Sequence, residues 1–178
     1  SKTVFDRCVF KENIAAKGGA LSIESCGEER VYVFNSLFEE NMGISKGGSI
    51  FISGSSPFFG FNTFVKNDAF EGSAIYIADS CEPYLSGNIF SQNYSSDHIS
   101  GQYFAVYNNF HSTTQLPPGT GNINSDPLFT NSKDGNYRLL PLSPCIDSVP
   151  LELDFIEYDL DGKPRPQNKI LDMGCYEL

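Results

Sequence analysis

Acidic side chains near the end of the chain are the residues best suited to chemistry. The segment Asp159-Leu160-Asp161-Gly162 has the spacing with which a calcium loop begins, and Ca²⁺ prefers carboxylate oxygens. An EF-hand loop also needs a third oxygen ligand and a glutamate at position twelve, which are missing. A tight turn, with Asp161 and Gly162 at its corner and Arg165 paired to a carboxylate, is therefore favoured. Asp159 and Asp161 stay the candidate ligands for Ca²⁺, the one cofactor that the sequence suggests. The sequence leaves open whether other carboxylates converge with them: Asp147, Asp154 and Asp172.

The basic and nucleophilic side chains form no recognisable catalytic motif. Neither His98 nor His111 has a serine or cysteine partner at a recognisable spacing, which leaves a nucleophilic triad unsupported. Lys17 and Lys46 precede glycine pairs and are expected to line up on one turn, where a solvated ladder is favoured over a catalytic base. The sequence therefore predicts no catalytic residue.

Composition limits the class of partner. Twelve lysines and arginines stand against 22 aspartates and glutamates, which gives a net charge of −10. This charge disfavours binding to nucleic acid and to anionic membrane surfaces. No stretch approaches the roughly 20 apolar residues of a membrane span. With 178 residues, 40% of them hydrophobic and 19% charged, the chain is long and apolar enough to fold around a core.

Four short segments of the chain repeat one another. Each begins with phenylalanine and ends with asparagine, and the phenylalanines are 28, 26 and 26 residues apart. The segments are 10–13, 38–41, 64–67 and 90–93. A pair of small residues and an apolar run with a period of two follow the first three, which indicates strands. A fixed period of this length is the signature of a solenoid.

Aligning the repeats places like residues in columns. The phenylalanine column is expected to form an inward-facing stack: Phe10, Phe38, Phe64 and Phe90. Two residues earlier, on the same face of each strand, lies a small polar column that can form an interior hydrogen-bonded ladder: Cys8, Ser36, Asn62 and Asn88. Glycine pairs would let successive turns pack closely: Gly18 with Gly19, and Gly47 with Gly48. These columns are predicted to be core rather than a binding site.

The period also predicts the fold. Twenty-six residues at about 3.3 Å each pass once around a coil, and coils stacked at about 4.8 Å form parallel sheets. We therefore predict an all-β fold, a right-handed parallel β-helix of about four to five coils. Residues 1–110 are expected to form the coils, and residues 111–178 an irregular C-terminal cap packed on the helix.

The repeats resemble a known group of proteins. Phe-x-x-Asn followed by Gly-Gly-Ala-Leu, as in residues 10–21, is similar to the repeat of chlamydial polymorphic outer-membrane proteins and of other secreted bacterial right-handed β-helix proteins. The last third resembles the terminal segment of large bacterial surface β-helix proteins, through motifs such as residues 126–129, 143–147 and 172–177. The resemblance implies a β-helix and an extracellular or cell-surface location, and it implies no particular reaction.

The resemblance also bears on the cysteines. Cys145 and Cys175 occupy positions where the terminal segment often has alanine, and a disulfide between them is favoured over two buried thiols in an oxidising compartment. Cys8 is expected to be a buried thiol. Cys26 and Cys81 are expected to lie two coils apart, which is too far for a direct bridge.

The ends of a β-helix expose unpaired strand edges, and the chain is already inside a coil by residue 4. We expect either further coils in a longer chain or homotypic stacking of a second copy on this coil, which could propagate a filament. The predicted role is structural or adhesive, without catalysis, and a cell-surface molecule or glycan is a further ligand to consider. The alternative is a carbohydrate-active enzyme similar to polysaccharide lyases, which would need carboxylates and a lysine or arginine in one groove.

Overall fold

The chain folds into a parallel β-solenoid, seen in a computed structural model that describes residues 2–25, 30–150 and 156–178. Strands from successive coils pair in parallel, and the predicted all-β parallel β-helix is confirmed. In the described ranges, three coils have four strands each, a fourth coil has three and a fifth has two. The repeat in the sequence therefore corresponds to one turn of the solenoid.

Each coil contributes its strands in a fixed order. The first coil has β1 (Lys2–Asp6), β2 (Val9–Lys11), β3 (Ile14–Lys17) and β4 (Leu21–Glu24). The second has β5 (Arg30–Phe34), β6 (Leu37–Glu39), β7 (Met42–Lys46) and β8 (Ile50–Ser53). The third has β9 (Phe58–Gly60), β10 (Thr63–Val65), β11 (Asp68–Glu71) and β12 (Ile75–Ile77). The fourth has β13 (Tyr84–Ser86), β14 (Ile89–Ser91) and β15 (Ile99–Ser100), and the fifth has β16 (Phe104–Val106) and β17 (Asn109–Phe110). An antiparallel hairpin of β18 (Phe129–Asn131) and β19 (Asn136–Leu139) follows, with a 3₁₀ turn at Ser132–Asp134 between its strands.

Strands at the same position of successive coils form four parallel sheets. Sheet A contains β1, β5, β9, β13 and β16, and sheet B contains β2, β6, β10, β14 and β17. Sheet C contains β3, β7 and β11, and sheet D contains β4, β8, β12 and β15. Repeat positions stay in register, so that Phe38 pairs with Phe10 on one side and Phe64 on the other.

Apolar columns fill the interior between the sheets. Five phenylalanine rings stack in one column, with successive centroids 4.7, 4.7, 4.7 and 5.1 Å apart: Phe10, Phe38, Phe64, Phe90 and Phe110. Side chains of sheets A and D pack against this stack with no exposed surface: Val33, Phe59, Leu85, Ile50 and Ile75. Because the ring spacing is close to the spacing of paired strands, ring stacking and backbone pairing stabilise the same coil-to-coil distance.

Two polar ladders run along the interior corners of the coils. In the first, each backbone N–H donates to a side-chain oxygen of the next coil at 2.9–3.1 Å, through Cys8, Ser36, Asn62, Asn88 and Asn108. This ladder extends one step beyond the repeats, to Asn122. The second ladder uses the asparagine that ends each repeat: Asn13, Asn41, Asn67 and Asn93. Side-chain oxygens thus satisfy corner N–H groups that would otherwise be buried without a partner.

The glycine pairs sit at tight corners, where the first glycine is close to its own turn and the second is close to the next coil. Gly47 has a left-handed φ of +66°, and a Cβ there would lie 2.1 Å from the carbonyl oxygen of Ile50. A Cβ on Gly48 would lie 1.9 Å from the carbonyl oxygen of Ser73 in the next coil. Both neighbours are backbone atoms, which cannot move without disturbing the sheet.

We expect Gly47→Ala to lower the free energy of unfolding by about 3 kcal/mol, because it adds a backbone clash to left-handed strain. Gly162→Ala is the matched control, since Gly162 has a φ of +80° with no atom within 4 Å of a Cβ. This variant carries the strain alone and should cost about 1 kcal/mol. Urea unfolding followed by circular dichroism measures both, and equal losses would contradict the role of the clash with the Ile50 carbonyl.

The residues that follow the coils divide into two parts. Residues 120–123 add a partial rung, since the N–H of Tyr107 donates to Thr120 and that of Phe110 to Ile123. Residues 125–150 and 156–178, which we call the C-terminal flank, lie alongside the solenoid rather than across its end. They pack against the outer face of sheet B and the corner between sheets A and B. The segment 111–178 thus packs on the helix, but only its first part covers the axial end.

Candidate interaction surfaces

The C-terminal flank decides which outer faces of the solenoid are exposed. In one column of sheet B, Leu37, Thr63 and Ile89 are at most 4% exposed, whereas Val9 of the first coil is 57% exposed. The buried members contact the flank, which does not extend over the first coil of this column. Repeat position alone therefore does not determine exposure.

The outer face of sheet C carries a cluster of exposed apolar side chains, which we call the apolar face. Its members are 41–88% exposed: Ile14, Met42, Ile44, Phe70 and Tyr94. Ile14 pairs in register with Met42 and Met42 with Asp68, and the N–H of Tyr94 donates to Asn67, so this row reads Ile14, Met42, Asp68 and Tyr94. Large apolar side chains that are exposed together on one face are typical of interaction sites in soluble proteins.

Two rows of charged residues border the apolar face. Toward sheet B, three successive coils carry left-handed turn residues, which we call the first rim: Glu12, Glu40 and Lys66. Toward sheet D, the paired strand ends of the same coils form the second rim: Lys17, Lys46 and Glu71. Within the rims, Lys66 lies 3.3 Å from Glu40 and Lys46 lies 3.6 Å from Glu71. The Lys46 Nζ also donates to the Tyr76 hydroxyl at 2.7 Å and the Lys17 Nζ lies over the Phe51 ring, so the lysines of the second rim lean over sheet D. Ion pairs near the surface contribute little to stability, so a partner can compete for these side chains.

A groove of about 530 Å³ lies beside the first rim. Its lining includes Glu12, Glu40, Asp68 and Lys66, and Tyr94 also borders it. Carboxylates and a lysine thus share one groove beside a parallel sheet, which is the arrangement that the enzyme alternative requires. The Lys66 Nζ also donates to the Ser132 carbonyl oxygen at 2.9 Å, so the flank holds this lysine in place.

The first coil presents a second apolar surface at the end of the solenoid. Strands β1, β2, β3 and β4 are the outermost strands of their sheets at this end. Phe5, Phe10 and Leu21 are only half-buried, although their column partners in the next coil are fully buried. This end therefore combines strand edges with the exposed ends of three core columns.

Protein groups occupy the candidate Ca²⁺ ligands. Asp159 is buried, and its two carboxylate oxygens accept the N–H groups of Lys163 and Glu177 at 2.8 and 2.9 Å. The N–H of Gly162 donates to the Asp159 carbonyl oxygen, as in the favoured tight turn. Asp161 forms two hydrogen bonds of 2.6 Å with the Arg138 guanidinium. The two carboxylates therefore face different partners and do not converge.

Two further acidic candidates, Asp147 and Asp172, are neighbours, but protein groups occupy the Asp172 carboxylate. Asp172 accepts the N–H groups of Asp147 and Leu178 through its two oxygens. Asp154 lies outside the described residues. Over residues 2–25, 30–150 and 156–178, no group of three or more His, Cys, Asp or Glu side chains is placed to hold a metal ion.

Arg165 joins the C-terminal flank to the solenoid. Its Nε donates to the Glu177 carboxylate at 2.8 Å, and its Nη1 donates to Asn35 of the second coil at 2.8 Å. Its Nη2 donates to the carbonyl oxygen of Asp172, and the guanidinium lies 4.7 Å from the ring centroid of Phe61. The side chains of Arg165 and Glu177 are 0% and 1% exposed. The predicted pairing of Arg165 with a carboxylate is present, at a site that is fully buried.

Tyr137 provides a second link between the flank and the solenoid. Its hydroxyl donates to Glu39 of β6 at 2.6 Å, and the other Glu39 oxygen lies 3.1 Å from the Lys11 Nζ. Burial raises the pKa of Tyr137, and the Glu39 carboxylate raises it further, so the hydroxyl stays protonated as a donor. Nothing in the repeat predicts this contact, since the two residues are 98 positions apart.

The predicted disulfide is absent. Cys145 and Cys175 are free buried thiols in different apolar clusters, the first with Val149 and the second with Val65. Burial raises the pKa of Cys145 to about 11 and that of Cys175 to about 12, which keeps both thiols protonated and unreactive. The alternative of two buried thiols is therefore correct, because the fold directs the two sulfurs into separate clusters. Of the remaining cysteines, Cys8 is partly buried, Cys81 is buried and Cys26 lies outside the described residues.

His98 is a buried histidine at a cavity of about 320 Å³ that His111 also lines. It is 4% exposed, and its Nε2 lies 2.9 Å from the carbonyl oxygen of His111, so this nitrogen carries the proton. Its Nδ1 lies 3.4 Å from the amide nitrogen of Asn93, the last member of the second ladder. Burial lowers the pKa of His98, because the charged ring would be poorly solvated.

We expect the free energy of unfolding to decrease as the pH falls below about 6.5. There the unfolded chain binds a proton at this position while folded His98 stays neutral, and the loss levels off below the folded pKa. Urea unfolding at successive pH values measures the slope. His98→Gln keeps an N–H donor and should flatten this part of the profile, whereas His111→Gln should leave it in place. An unchanged slope in His98→Gln would contradict the assignment.

No family model, curated protein or solved structure matches this chain. The structure itself defines the class of this protein as a parallel β-solenoid of about four turns with a lateral C-terminal flank. The finer resemblance to chlamydial outer-membrane proteins stays a prediction. In the part of the chain that the structure describes, no helix is long and apolar enough to cross a membrane.

Sequence reasoning missed the apolar face, although a signal for it exists. Ile14, Met42 and Tyr94 each directly follow the asparagine that ends a repeat and are exposed, whereas the third repeat has the half-buried Asp68 there. An apolar residue in an outward column is the pattern that would have found it.

Proposed function

We propose that this chain is a non-catalytic structural or adhesive β-solenoid module that acts outside the cell and docks end-on through its first coil. The observation that carries the proposal is the half-buried state of Phe5, Phe10 and Leu21 among four outermost strands. Open strand edges template the addition of further strands, and another coil would bury these three side chains.

The opposite end of the solenoid is covered, which supports docking through the first coil alone. Residues 120–123 hydrogen-bond to the fifth coil and cover its edge. A head-to-tail filament would have to displace this rung before a second copy could stack there. The first coil is therefore the end on which we expect a second copy to stack.

The extracellular or cell-surface location is supported by the resemblance of the repeats and of the last third of the chain to secreted β-helix proteins. The net charge of −10 is compatible with it, because it favours solubility and disfavours nucleic acid. A surface molecule or glycan as the adhesive ligand belongs to the same proposal.

Sedimentation velocity over a wide concentration range, with negative-stain electron microscopy, tests end-on docking. The purified chain should form end-to-end particles, and Leu21→Lys should prevent them by placing a charge in the contact. Leu142→Lys is the matched control, since Leu142 lies on the flank and is 87% exposed. End-on particles that persist in Leu21→Lys, or their absence from the unaltered chain, would overturn docking between copies.

A carbohydrate-active enzyme is the second candidate function. One observation favours it, namely the groove that brings Glu12, Glu40 and Asp68 together with Lys66. Incubation with acidic polysaccharides in the presence of Ca²⁺ tests it, with Lys66→Met as the comparison. Cleavage of the polysaccharide by the unaltered protein, if it is lost in the Lys66→Met variant, would support the enzyme and contradict the non-catalytic proposal.

A further inference from the structure

From the apolar face and its two rims, we infer that sheet C is a lateral interface between two copies of this chain. The copies pair face to face about a two-fold axis that runs parallel to the solenoid axis. This contact uses the side of the solenoid, so it is separate from end-on docking through the first coil.

The apolar floor supplies the driving force. Ile44, Phe70 and Tyr94 are 68%, 88% and 75% exposed, and burying such side chains stabilises association by about 25 cal/mol per Å². Two stacked sheets lie about 10 Å apart. Glutamate and lysine side chains extending from the rims of both copies can span this gap.

The charges of the rims identify the occupant as a second copy. From the first to the third coil, the first rim reads minus, minus, plus in Glu12, Glu40 and Lys66. The second rim reads plus, plus, minus in Lys17, Lys46 and Glu71. A two-fold axis parallel to the solenoid places the first rim of one copy against the second rim of the other, coil by coil. Every opposed position then carries opposite charges.

The same charges disfavour the antiparallel arrangement. A two-fold axis across the solenoid at the second coil would place each rim against itself in reverse order. Glu40 would then face Glu40 of the second copy, and Lys46 would face Lys46. Like charges directly opposed across an interface are strongly unfavourable. An axis between the second and third coils avoids them by pairing Glu40 with Lys66 and Lys46 with Glu71, but it leaves Glu12 opposite the uncharged Gln92. The parallel pairing matches more of the rim charges and is the one we infer.

The size of the face predicts a weak dimer. Four residues at about 3.3 Å and four coils at about 4.8 Å give a floor of roughly 13 by 19 Å. This is well below the ~800 Å² that each partner buries in a stable complex. The association is therefore concentration-dependent for single chains, and it would strengthen wherever copies are already aligned side by side.

Charge reversal tests the pairing by sedimentation equilibrium. Glu40→Lys and Lys46→Glu should each weaken the dimer about tenfold or more, because the two-fold axis repeats each unfavourable contact. The double variant Glu40→Lys with Lys46→Glu should return to within about threefold of the unaltered chain, since the swapped charges again face each other. Phe70→Ser should weaken the dimer without changing its salt dependence.

Glu82→Lys is the matched control, because Glu82 is an exposed glutamate away from sheet C. It lines a cavity together with residues such as Phe104 and Pro117. Leu21→Lys should leave lateral pairing intact, which separates this inference from end-on docking. The inference is overturned by a chain that stays monomeric at all concentrations in the Leu21→Lys background. It is also overturned if Glu40→Lys behaves like Glu82→Lys, if the double variant fails to recover, or if the face instead binds phospholipid vesicles.

Discussion

Arg165→Ala is expected to lower the free energy of unfolding by about 3–5 kcal/mol and to release the C-terminal flank from the solenoid. Removing the guanidinium leaves the Glu177 carboxylate buried without its partner charge, and such a charge is poorly solvated. The same change removes the hydrogen bond to Asn35, which connects the flank to the second coil. Hydrogen exchange in β18 and β19, measured beside urea unfolding, should show the loss of flank protection.

Arg138→Ala is the matched control for this prediction. Arg138 also pairs with a carboxylate and also lies over an aromatic ring, that of Tyr176. Its side chain is 44% exposed, so water replaces the lost partner and the expected cost is below about 1 kcal/mol. Comparable losses in the two variants would show that burial of the Arg165 pair is not what holds the flank.

Phe64→Ala is expected to cost about 3–5 kcal/mol, because it removes a ring from the middle of the phenylalanine stack. Phe64 has no exposed surface, and its ring lies 4.7 Å from that of Phe38 on one side and 4.7 Å from that of Phe90 on the other. The coils are fixed at the strand-pairing distance and cannot collapse into the cavity. Thermal and urea unfolding by far-ultraviolet circular dichroism measure the loss.

Phe70→Ala, in the same coil, is the control for Phe64→Ala. Phe70 is 88% exposed on the apolar face, so its removal should change the stability of the monomer by no more than about 0.5 kcal/mol. A small loss in Phe64→Ala, similar to that of the control, would contradict the assignment of the stack as the core.

The apolar face and its rims could be predicted from the sequence only in part. The two rims follow from the repeat, because Lys17 and Lys46 were expected to line up on one turn, and they do pair in register. The opposite signs of the two rims are visible in the sequence once the register is known. That sheet C remains open is not visible, since it depends on where the flank packs. The Ca²⁺ candidates show the same limit, because Asp161 faces Arg138 for reasons that no local motif contains.

The sequence by itself determined the coil. A constant period places Phe38 and Phe64 above one another, and hydrogen bonding between neighbouring coils then follows from the repeat. The phenylalanine stack, the first ladder and the tight glycine corners could therefore be predicted. Only the tertiary structure decided which outer faces are buried. Val9 and Leu37 occupy equivalent repeat positions, yet the first is exposed and the second is covered by the flank. The physical reason is the range of the contacts, because stacking repeats meet at a fixed separation in sequence, whereas the flank docks through single, non-repeating pairs such as Arg165 with Asn35, 130 residues apart.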